Sequence, residues 1–294
     1  MAFLRKQNGT WCPNKIAAFA GVMLPALWLV GRFWTEDLGA RPVTEAIHFT
    51  GDWAVRFLWI TLAVTPFARI FRMPRWLMAR RTLGVASFAY VFAHLALYVV
   101  DQKFDFAVVV SEIAMRFYLT IGFIGVLSLA VLCATSTDGM IRRLGGARWC
   151  ALHRLCYPVA VLVLIHFLLQ SKNDVWEPVL MMGFLIWLFG YRIIQRFLHD
   201  PNFVSLTALG FVSAALTAVL EAAWYHFRSG VDAWLVFQAN FDFSYEIRPA
   251  WYVLAAALAV VATAWVRRQY SQRPILRRRV STAVSGATRT QSAS

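Results

Sequence analysis

Eight long apolar runs divide this sequence, and they constrain its fold more than any other feature. A run of about 20 apolar residues spans the roughly 30 Å hydrocarbon core of a bilayer as a helix. Leu83–Val100 is typical, because it holds no Asp, Glu, Lys or Arg. Lipid offers the backbone no hydrogen bonds, so each run should be helical, and the sequence predicts an all-α integral membrane protein. The predicted spans are residues 16–34, 53–70, 83–100, 117–134, 151–170, 176–194, 203–226 and 249–266.

The charge composition favours membrane lipid as a partner and argues against nucleic acid. Only 15% of the 294 residues are charged, against about 25% in a typical soluble domain. The 29 Lys and Arg outnumber the 15 Asp and Glu, which gives a formal net charge of +14. These basic residues lie between the apolar runs and form no separate basic face, so cytoplasmic loops explain the excess.

The loops alternate between arginine-rich and acidic, and this alternation predicts the orientation. Cytoplasmic loops of membrane proteins carry an excess of Lys and Arg. The basic loops contain Arg69, Arg72, Arg75, Arg80 and Arg81; Arg142, Arg143, Arg148 and Arg154; Arg192 and Arg196; and Arg267, Arg268, Arg273, Arg277, Arg278 and Arg279. The acidic loops contain Glu36, Asp37 and Glu45; Asp101, Asp105 and Glu112; Asp174 and Glu177; and Asp232, Asp242 and Glu246. We therefore expect a multi-pass protein of the bacterial inner membrane with both termini in the cytoplasm.

Two histidines lie inside apolar runs, where an ionisable residue is costly and becomes a functional candidate. His94 is six residues from the end of the third run, and His166 is four from the end of the fifth. Both runs point from cytoplasm to periplasm, which places both histidines about 6–9 Å below the periplasmic face. Two neutral imidazoles at one depth suit six-coordinate haem iron. The alternative is that neighbouring Ser or Thr residues satisfy both rings.

A second group of candidates lies nearer the cytoplasmic face. His153 precedes His166 by thirteen residues, about 19.5 Å of helix, and Pro158 between them permits a bend. Arg81 occupies the matching position thirteen residues before His94. This level could hold a second haem, a flavin or a quinone. Arg80 and Arg81 suit a phosphate or a haem propionate, or they only anchor a cytoplasmic loop.

The other three histidines, His48, His199 and His226, lie at the ends of runs beside polar residues. A histidine at the water boundary needs no special role, and we interpret all three as surface residues.

Three stretches resemble the haem-binding membrane subunits of methionine sulfoxide reductase systems, within the ferric-reductase-like transmembrane family. They read LGARPVTEAIHFTGDWAVRFLWITLAVTPFAR, RRTLGVASFAYVFAHLALY and TSTDGMIRRLGGARWCALHRLCYPVAVLVLIH. The resemblance extends from Leu38 to about Arg196, and the order and spacing of its motifs match the family.

This resemblance implies a fold, cofactors and partners. The fold is a ferric-reductase-like six-helix bundle, with haem b bound by His94 and His166 and with His153 as a third haem-site histidine. The implied cofactors also include FMN. Electrons would come from the quinone pool or a cytoplasmic flavin reductase. They would go to a periplasmic molybdopterin-containing methionine sulfoxide reductase subunit that repairs oxidised proteins.

The sequence departs from this family in two places. Members usually read Arg-Pro-Tyr before the fourth span, where this chain has Arg116-Phe117-Tyr118. Members also usually end soon after the sixth span. We therefore predict a haem-binding domain over residues 1–200, two additional membrane helices over 201–268, and a basic disordered cytoplasmic tail over 269–294. No nucleotide-binding motif occurs in this extension.

Transmembrane electron transfer through haem b is the function that these observations favour. A stand-alone membrane ferric or cupric reductase is the alternative within redox chemistry. From a different class, a transporter could use membrane histidines as proton relays, but the sequence shows neither the broken helices nor the paired halves typical of transporters. A scaffold within a larger complex would explain only the additional helices.

Overall fold

The structure is a computed structural model that describes residues 13–172, 174–198, 200–244 and 246–291, with side chains up to residue 270. All regular elements in these ranges are helices. The α-helices are α1 (Pro13–Trp34), α2 (Pro42–Ile70), α3 (Arg80–Asp101), α4 (Phe106–Met115), α5 (Phe117–Ala134), α6 (Asp138–Leu144), α7 (Gly146–His153), α8 (Cys156–Gln170), α9 (Trp176–Phe197), α10 (Phe203–Ser229), α11 (Ala233–Gln238) and α12 (Pro249–Gln291).

Eight helical stretches in the described ranges are long and apolar enough to cross a membrane, as the sequence predicts. The chain is thus an integral multi-pass membrane protein. Among the starts of the spans, the largest difference concerns α2, which begins at Pro42 instead of near residue 53. Proline is favoured in the first helical turn because its fixed φ is already helical and its missing N–H is not needed there. The first turns of α2 contain polar residues, so a search for apolar runs does not find the start of this helix.

Three short helices were not predicted, namely α4, α6 and α11. Each is too short to span a bilayer, so a search for apolar runs does not find it. Local capping explains their starts. The Asp105 carboxylate accepts hydrogen bonds from the backbone N–H groups of Ala107 and Val108, and Thr137 and Asp232 cap α6 and α11 in the same way.

The predicted bend near Pro158 is present as a break between α7 and α8. Proline has no N–H to donate to the carbonyl four residues earlier, and its ring crowds that carbonyl. That carbonyl belongs to Arg154, and α7 ends at His153 just before it. The Arg154 oxygen instead accepts from the N–H of Tyr157 at 3.1 Å. His153 and His166 therefore lie on two separate helical segments.

The structure divides into two compact units, the first ending at Leu185 and the second beginning at Ile186. This division falls inside α9, whereas the sequence predicts a boundary at residue 200. In the first unit α2 is the most buried helix, with Leu62 fully enclosed. The Ser87 hydroxyl donates to the Ala54 carbonyl at 2.9 Å, which ties α3 to α2.

In the second unit α10 packs against α12 through small residues. A Cβ on Gly210 would lie 2.9 Å from the Cβ of Ala257, so the two backbones approach closely there. α12 continues as one helix to Gln291, and no helix end marks the boundary predicted at residue 269. Disorder of the tail over residues 269–294 stays a prediction.

Candidate functional site

His94 is held by the backbone of the neighbouring helix α2. Its Nδ1 lies 2.8 Å from the carbonyl oxygen of Ile47. A carbonyl oxygen can only accept, so Nδ1 carries the proton and the ring donates. Gly51 lies directly against the same ring, and a Cβ there would be 2.9 Å from Nδ1. The imidazole therefore occupies the space that a side chain at position 51 would need.

His166 is held in the same manner between α8 and α5. Its Nδ1 lies 2.8 Å from the carbonyl oxygen of Tyr118. A Cβ on Gly122 would be 2.7 Å from this Nδ1. The Tyr118 ring stacks near the imidazole, with 6.5 Å between the ring centroids.

The two histidines share one local design. In each case the accepting carbonyl belongs to the residue four positions before the glycine, Ile47 before Gly51 and Tyr118 before Gly122. A helical carbonyl bonds the N–H four residues later and keeps a second lone pair. Because glycine has no side chain, the imidazole can reach that lone pair. We call His94, His166, Gly51 and Gly122 the paired histidine site.

The paired histidine site fits haem iron. Nδ1 is protonated in both rings, so each Nε2 keeps its lone pair, and neither Nε2 has a hydrogen-bond partner among the described residues. The rings are close enough to interact electrostatically. Two histidines are too few for a four-coordinate zinc site. They are enough for a haem, because the macrocycle supplies the other four ligands of a six-coordinate iron.

His153 lies in a different environment on α7. Its Nδ1 is 3.1 Å from the carbonyl of Trp149 in its own helix, and its ring stacks on Trp149 with 3.9 Å between centroids. Its Nε2 is 3.3 Å from the hydroxyl of Ser136. Both ring nitrogens are therefore engaged in the structure, and none of the glycines whose surroundings the structure describes lies against this ring.

Arg80 and Arg81, at the start of α3, lie close enough to His153 to act on it electrostatically. The structure therefore brings these three predicted residues into one neighbourhood. Arg81 Nη1 is 2.6 Å from Asp138 Oδ1, and this guanidinium holds the pKa of Asp138 below its usual value. Arg80 makes no hydrogen bond or ion pair with any described residue, so its guanidinium remains available to a ligand.

Of the remaining histidines, His48 lies close enough to His94 to act on it electrostatically. His48 and His226 are exposed, and His226 Nδ1 contacts the nearby Val231 carbonyl at 3.1 Å. These positions agree with their interpretation as surface residues. His199 lies outside the described residues.

Sequence reasoning missed the two glycines and the two carbonyls of the paired histidine site. Gly51 and Gly122 carry a general signal, since glycines in membrane helices mark close approach between helices. That signal does not say which ring lies opposite. The carbonyls of Ile47 and Tyr118 carry no sequence signal at all, because every residue has one.

Comparison with known proteins identifies the family of this chain. The family described as the ferric reductase like transmembrane component matches residues 50–165. Protein-methionine-sulfoxide reductase heme-binding subunit MsrQ from Rhodospirillum rubrum is 41% identical over 182 residues, which are 62% of this chain and 88% of the relative. The subunit of the same name from Caulobacter vibrioides is 38% identical over 60% of this chain and 83% of the relative.

A third relative extends the match further along the chain. The MsrQ subunit from Xanthomonas campestris pv. campestris is 39% identical over 200 residues, which are 66% of this chain and 91% of the relative. No solved structure shows a significant match. These relatives are matched over most of their own length, and the chain therefore belongs to the family of protein-methionine-sulfoxide reductase heme-binding subunits, MsrQ.

Proposed function

We propose that this chain binds haem b between His94 and His166 and transfers electrons across the membrane. One observation carries the proposal: each imidazole donates its Nδ1 proton to a backbone carbonyl at 2.8 Å and keeps Nε2 for a metal. The names of the relatives support it, since they describe heme-binding subunits. When bound, the haem would supply a one-electron carrier inside the hydrocarbon region.

The protein's own part in this function is to position the two rings. A hydrogen bond from the non-ligating nitrogen fixes the tautomer and the ring orientation, and it increases the basicity of the ligating nitrogen. Here the acceptor is helix backbone, which cannot rotate away as a side chain can. Gly51 and Gly122 keep the rings against these carbonyls because nothing larger fits there.

Electrons would enter on the side of His153, Arg80 and Arg81. This side carries the arginine-rich loops, which we assign to the cytoplasm of a bacterium. The Arg80 guanidinium, which has no partner among the described residues, suits the phosphate of FMN or a haem propionate because of its planar fork. His153 would hold a second haem or contact the donor, a quinol or a reduced flavin.

The electron acceptor would be a periplasmic methionine sulfoxide reductase subunit that contains molybdopterin. Support for this partner comes from the relatives, whose names make them subunits of a protein-methionine-sulfoxide reductase. The paired histidine site is near the periplasmic face in the proposed orientation, so the distance from haem to partner would be short.

Proteoliposomes test this function. The purified chain should show a dithionite-reducible haem b band, and a quinol or a reduced flavin should reduce it. With the periplasmic subunit added, methionine sulfoxide should be consumed. His226→Ala serves as the matched control, because that histidine is exposed and belongs to the second unit. A preparation without a haem b band would reject the proposal.

A stand-alone ferric or cupric reductase is the second candidate, favoured by the match to the ferric reductase like component. The same proteoliposomes distinguish the two. Reduction of an external ferric chelate at a rate that the periplasmic subunit does not change would favour the metal reductase. Oxidation of the haem only when both the subunit and methionine sulfoxide are present would favour the sulfoxide reductase system.

A further inference from the structure

α10 carries a line of buried polar residues. Ser213, Thr217 and Glu221 are each four residues apart, so they lie on one face of the helix. Their exposed fractions are 0%, 0% and 1%. The line extends about 12 Å along the helix axis. An ionisable residue in a spanning segment is costly and is a functional candidate by default, and neither the haem site nor the donor side uses Glu221.

The surroundings of Glu221 come from α10, the α11 segment and the start of α12. Arg248 Nη1 lies 3.4 Å from Glu221 Oε1. The buried side chain of Asn240 adjoins the carboxyl, and Glu246 is the other charged group near it. Asn240 is held in place because Trp251 Nε1 donates a hydrogen bond to the backbone carbonyl oxygen of Asn240 at 2.6 Å.

Two buried oxygens in this cluster, Glu221 Oε2 and Asn240 Oδ1, have no hydrogen-bond partner among the described residues. The same holds for Ser213 Oγ, which lies about 12 Å away along α10. An ionised carboxylate and an amide oxygen only accept hydrogen bonds, so the first two lack a donor. Turning the Asn240 amide over would supply one, but it would set Oδ1 against the Val236 carbonyl, to which Nδ2 now donates at 3.4 Å. A proton on Oε2 supplies the missing donor without that conflict.

The contact with Arg248 is too weak to keep this carboxylate ionised. It joins one oxygen to one nitrogen at 3.4 Å, and the Arg248 side chain is 28% exposed, so water can solvate it without Glu221. The Arg56–Glu177 ion pair is closer. Its Nη2 and Oε1 atoms lie 2.5 Å apart, and both side chains are about one-third exposed, so neither charge is fully buried. Burying a charge costs several kcal/mol unless it is closely paired and hydrogen-bonded.

We propose that Glu221 is a proton-binding site of the second unit, with its carboxyl neutral at pH 7 and its proton shared with the side chain of Asn240. When the proton leaves, the carboxylate pairs with Arg248. The partially exposed Arg248 side chain lies at the water side of this cluster, and exchange with bulk water takes place there. The site does not depend on the proposed haem.

Infrared difference spectroscopy of the full chain in lipid bilayers tests this proposal. At pH 7 the wild type should show the C=O stretch of a neutral carboxylic acid, and deuterium oxide should shift it. Labelling all glutamates with carbon-13 should also shift this band, which separates it from aspartate and lipid. Glu221→Gln should abolish it, whereas Glu246→Gln, the exposed matched control, should retain it.

Two results would overturn the proposal. The first is the absence of a label-sensitive neutral carboxyl band in the wild type at pH 7, which needs no variant and is therefore independent of folding. The second is a band that survives Glu221→Gln. Asn240→Leu provides a further check, because it leaves Glu221 in place but removes a neighbouring polar group, so the band should shift without disappearing.

Discussion

The paired histidine site and the surroundings of His153 place the same side chain in two different situations. His94 and His166 each donate to the backbone of a neighbouring helix and leave Nε2 unpartnered. His153 contacts the Trp149 carbonyl of its own helix and has Ser136 at Nε2. An imidazole that donates to the backbone carbonyl of another helix is oriented by the packing of the two helices. An imidazole that contacts a carbonyl of its own helix has its hydrogen bond without any tertiary contact.

This difference separates a site prepared for a metal from one that needs rearrangement. At the paired histidine site a haem iron would displace no hydrogen bond of the ligating nitrogen. At His153 a metal on Nε2 would have to replace the contact with Ser136. The comparison therefore favours His94 and His166 as ligands of the proposed haem, and a second haem at His153 would need a local change.

Removal of either paired histidine should have the largest effect. His94→Ala and His166→Ala should each abolish the low-spin haem spectrum, because a six-coordinate iron loses a strong-field ligand. Optical spectra and haem-to-protein ratios of the purified variants measure this. His226→Ala should retain the wild-type spectrum, and an unchanged low-spin spectrum in either of the first two variants would disprove the pairing.

Gly122→Ala should weaken haem binding about 5- to 150-fold, since overpacking costs roughly 1–3 kcal/mol. The added Cβ would lie 2.7 Å from His166 Nδ1 and displace the ring from the Tyr118 carbonyl. Gly125→Ala is the matched control on the same helix, because its Cβ would meet Val163 at an ordinary 3.4 Å. Equal haem retention in the two variants would show that the glycine does not position the ring.

Changes on the donor side should slow electron input and leave the paired histidine site intact. Arg80→Lys/Arg81→Lys keeps the loop charge and the topology but removes the planar fork. Reduction by quinol or reduced flavin should slow about tenfold in this double variant and in His153→Ala, while dithionite still reduces the haem fully. Stopped-flow spectra record both rates. If quinol or reduced flavin reduced the haem of these variants at the wild-type rate, Arg80 and Arg81 would only anchor the cytoplasmic loop.

Asp138→Asn should have the smallest effect. The Arg81 guanidinium lowers the pKa of Asp138 below its usual 3.8, so the pair stabilises the fold above about pH 4 and loses this contribution as pH falls through the lowered pKa. An exposed pair contributes at most about 1 kcal/mol. Thermal unfolding at pH 7 should show a slight destabilisation that diminishes as the pH falls below the usual pKa of 3.8. Asp200→Asn is the control at another exposed position, and its effect on thermal unfolding should not change with pH.

The sequence predicted the parts of the structure that depend on composition and spacing. Apolar runs revealed the eight spans, and the location of His94 and His166 within them marked both as candidates. Pro158 predicted a bend, which the structure shows as the break between α7 and α8, because the effect of proline on the backbone is local. These features are encoded in adjacent residues.

The remaining features depend on which helices meet. Gly51 lies against His94 and Gly122 against His166 only because α2 packs on α3 and α5 on α8. The cluster around Glu221 likewise joins residues from three segments of the second unit. The short helix α11, which supports that cluster, lacks the length that marks a span. No single-segment pattern could have identified these contacts.

The ligand set of the haem iron is the central claim, and pulsed electron paramagnetic resonance of the ferric protein measures it directly. The sample should be the His153→Ala variant with nitrogen-15 histidine, so that only the paired histidine site contributes. We predict a low-spin signal with hyperfine coupling to two histidine nitrogens, one each from His94 and His166. A high-spin signal, or coupling to a single histidine nitrogen, would contradict this assignment.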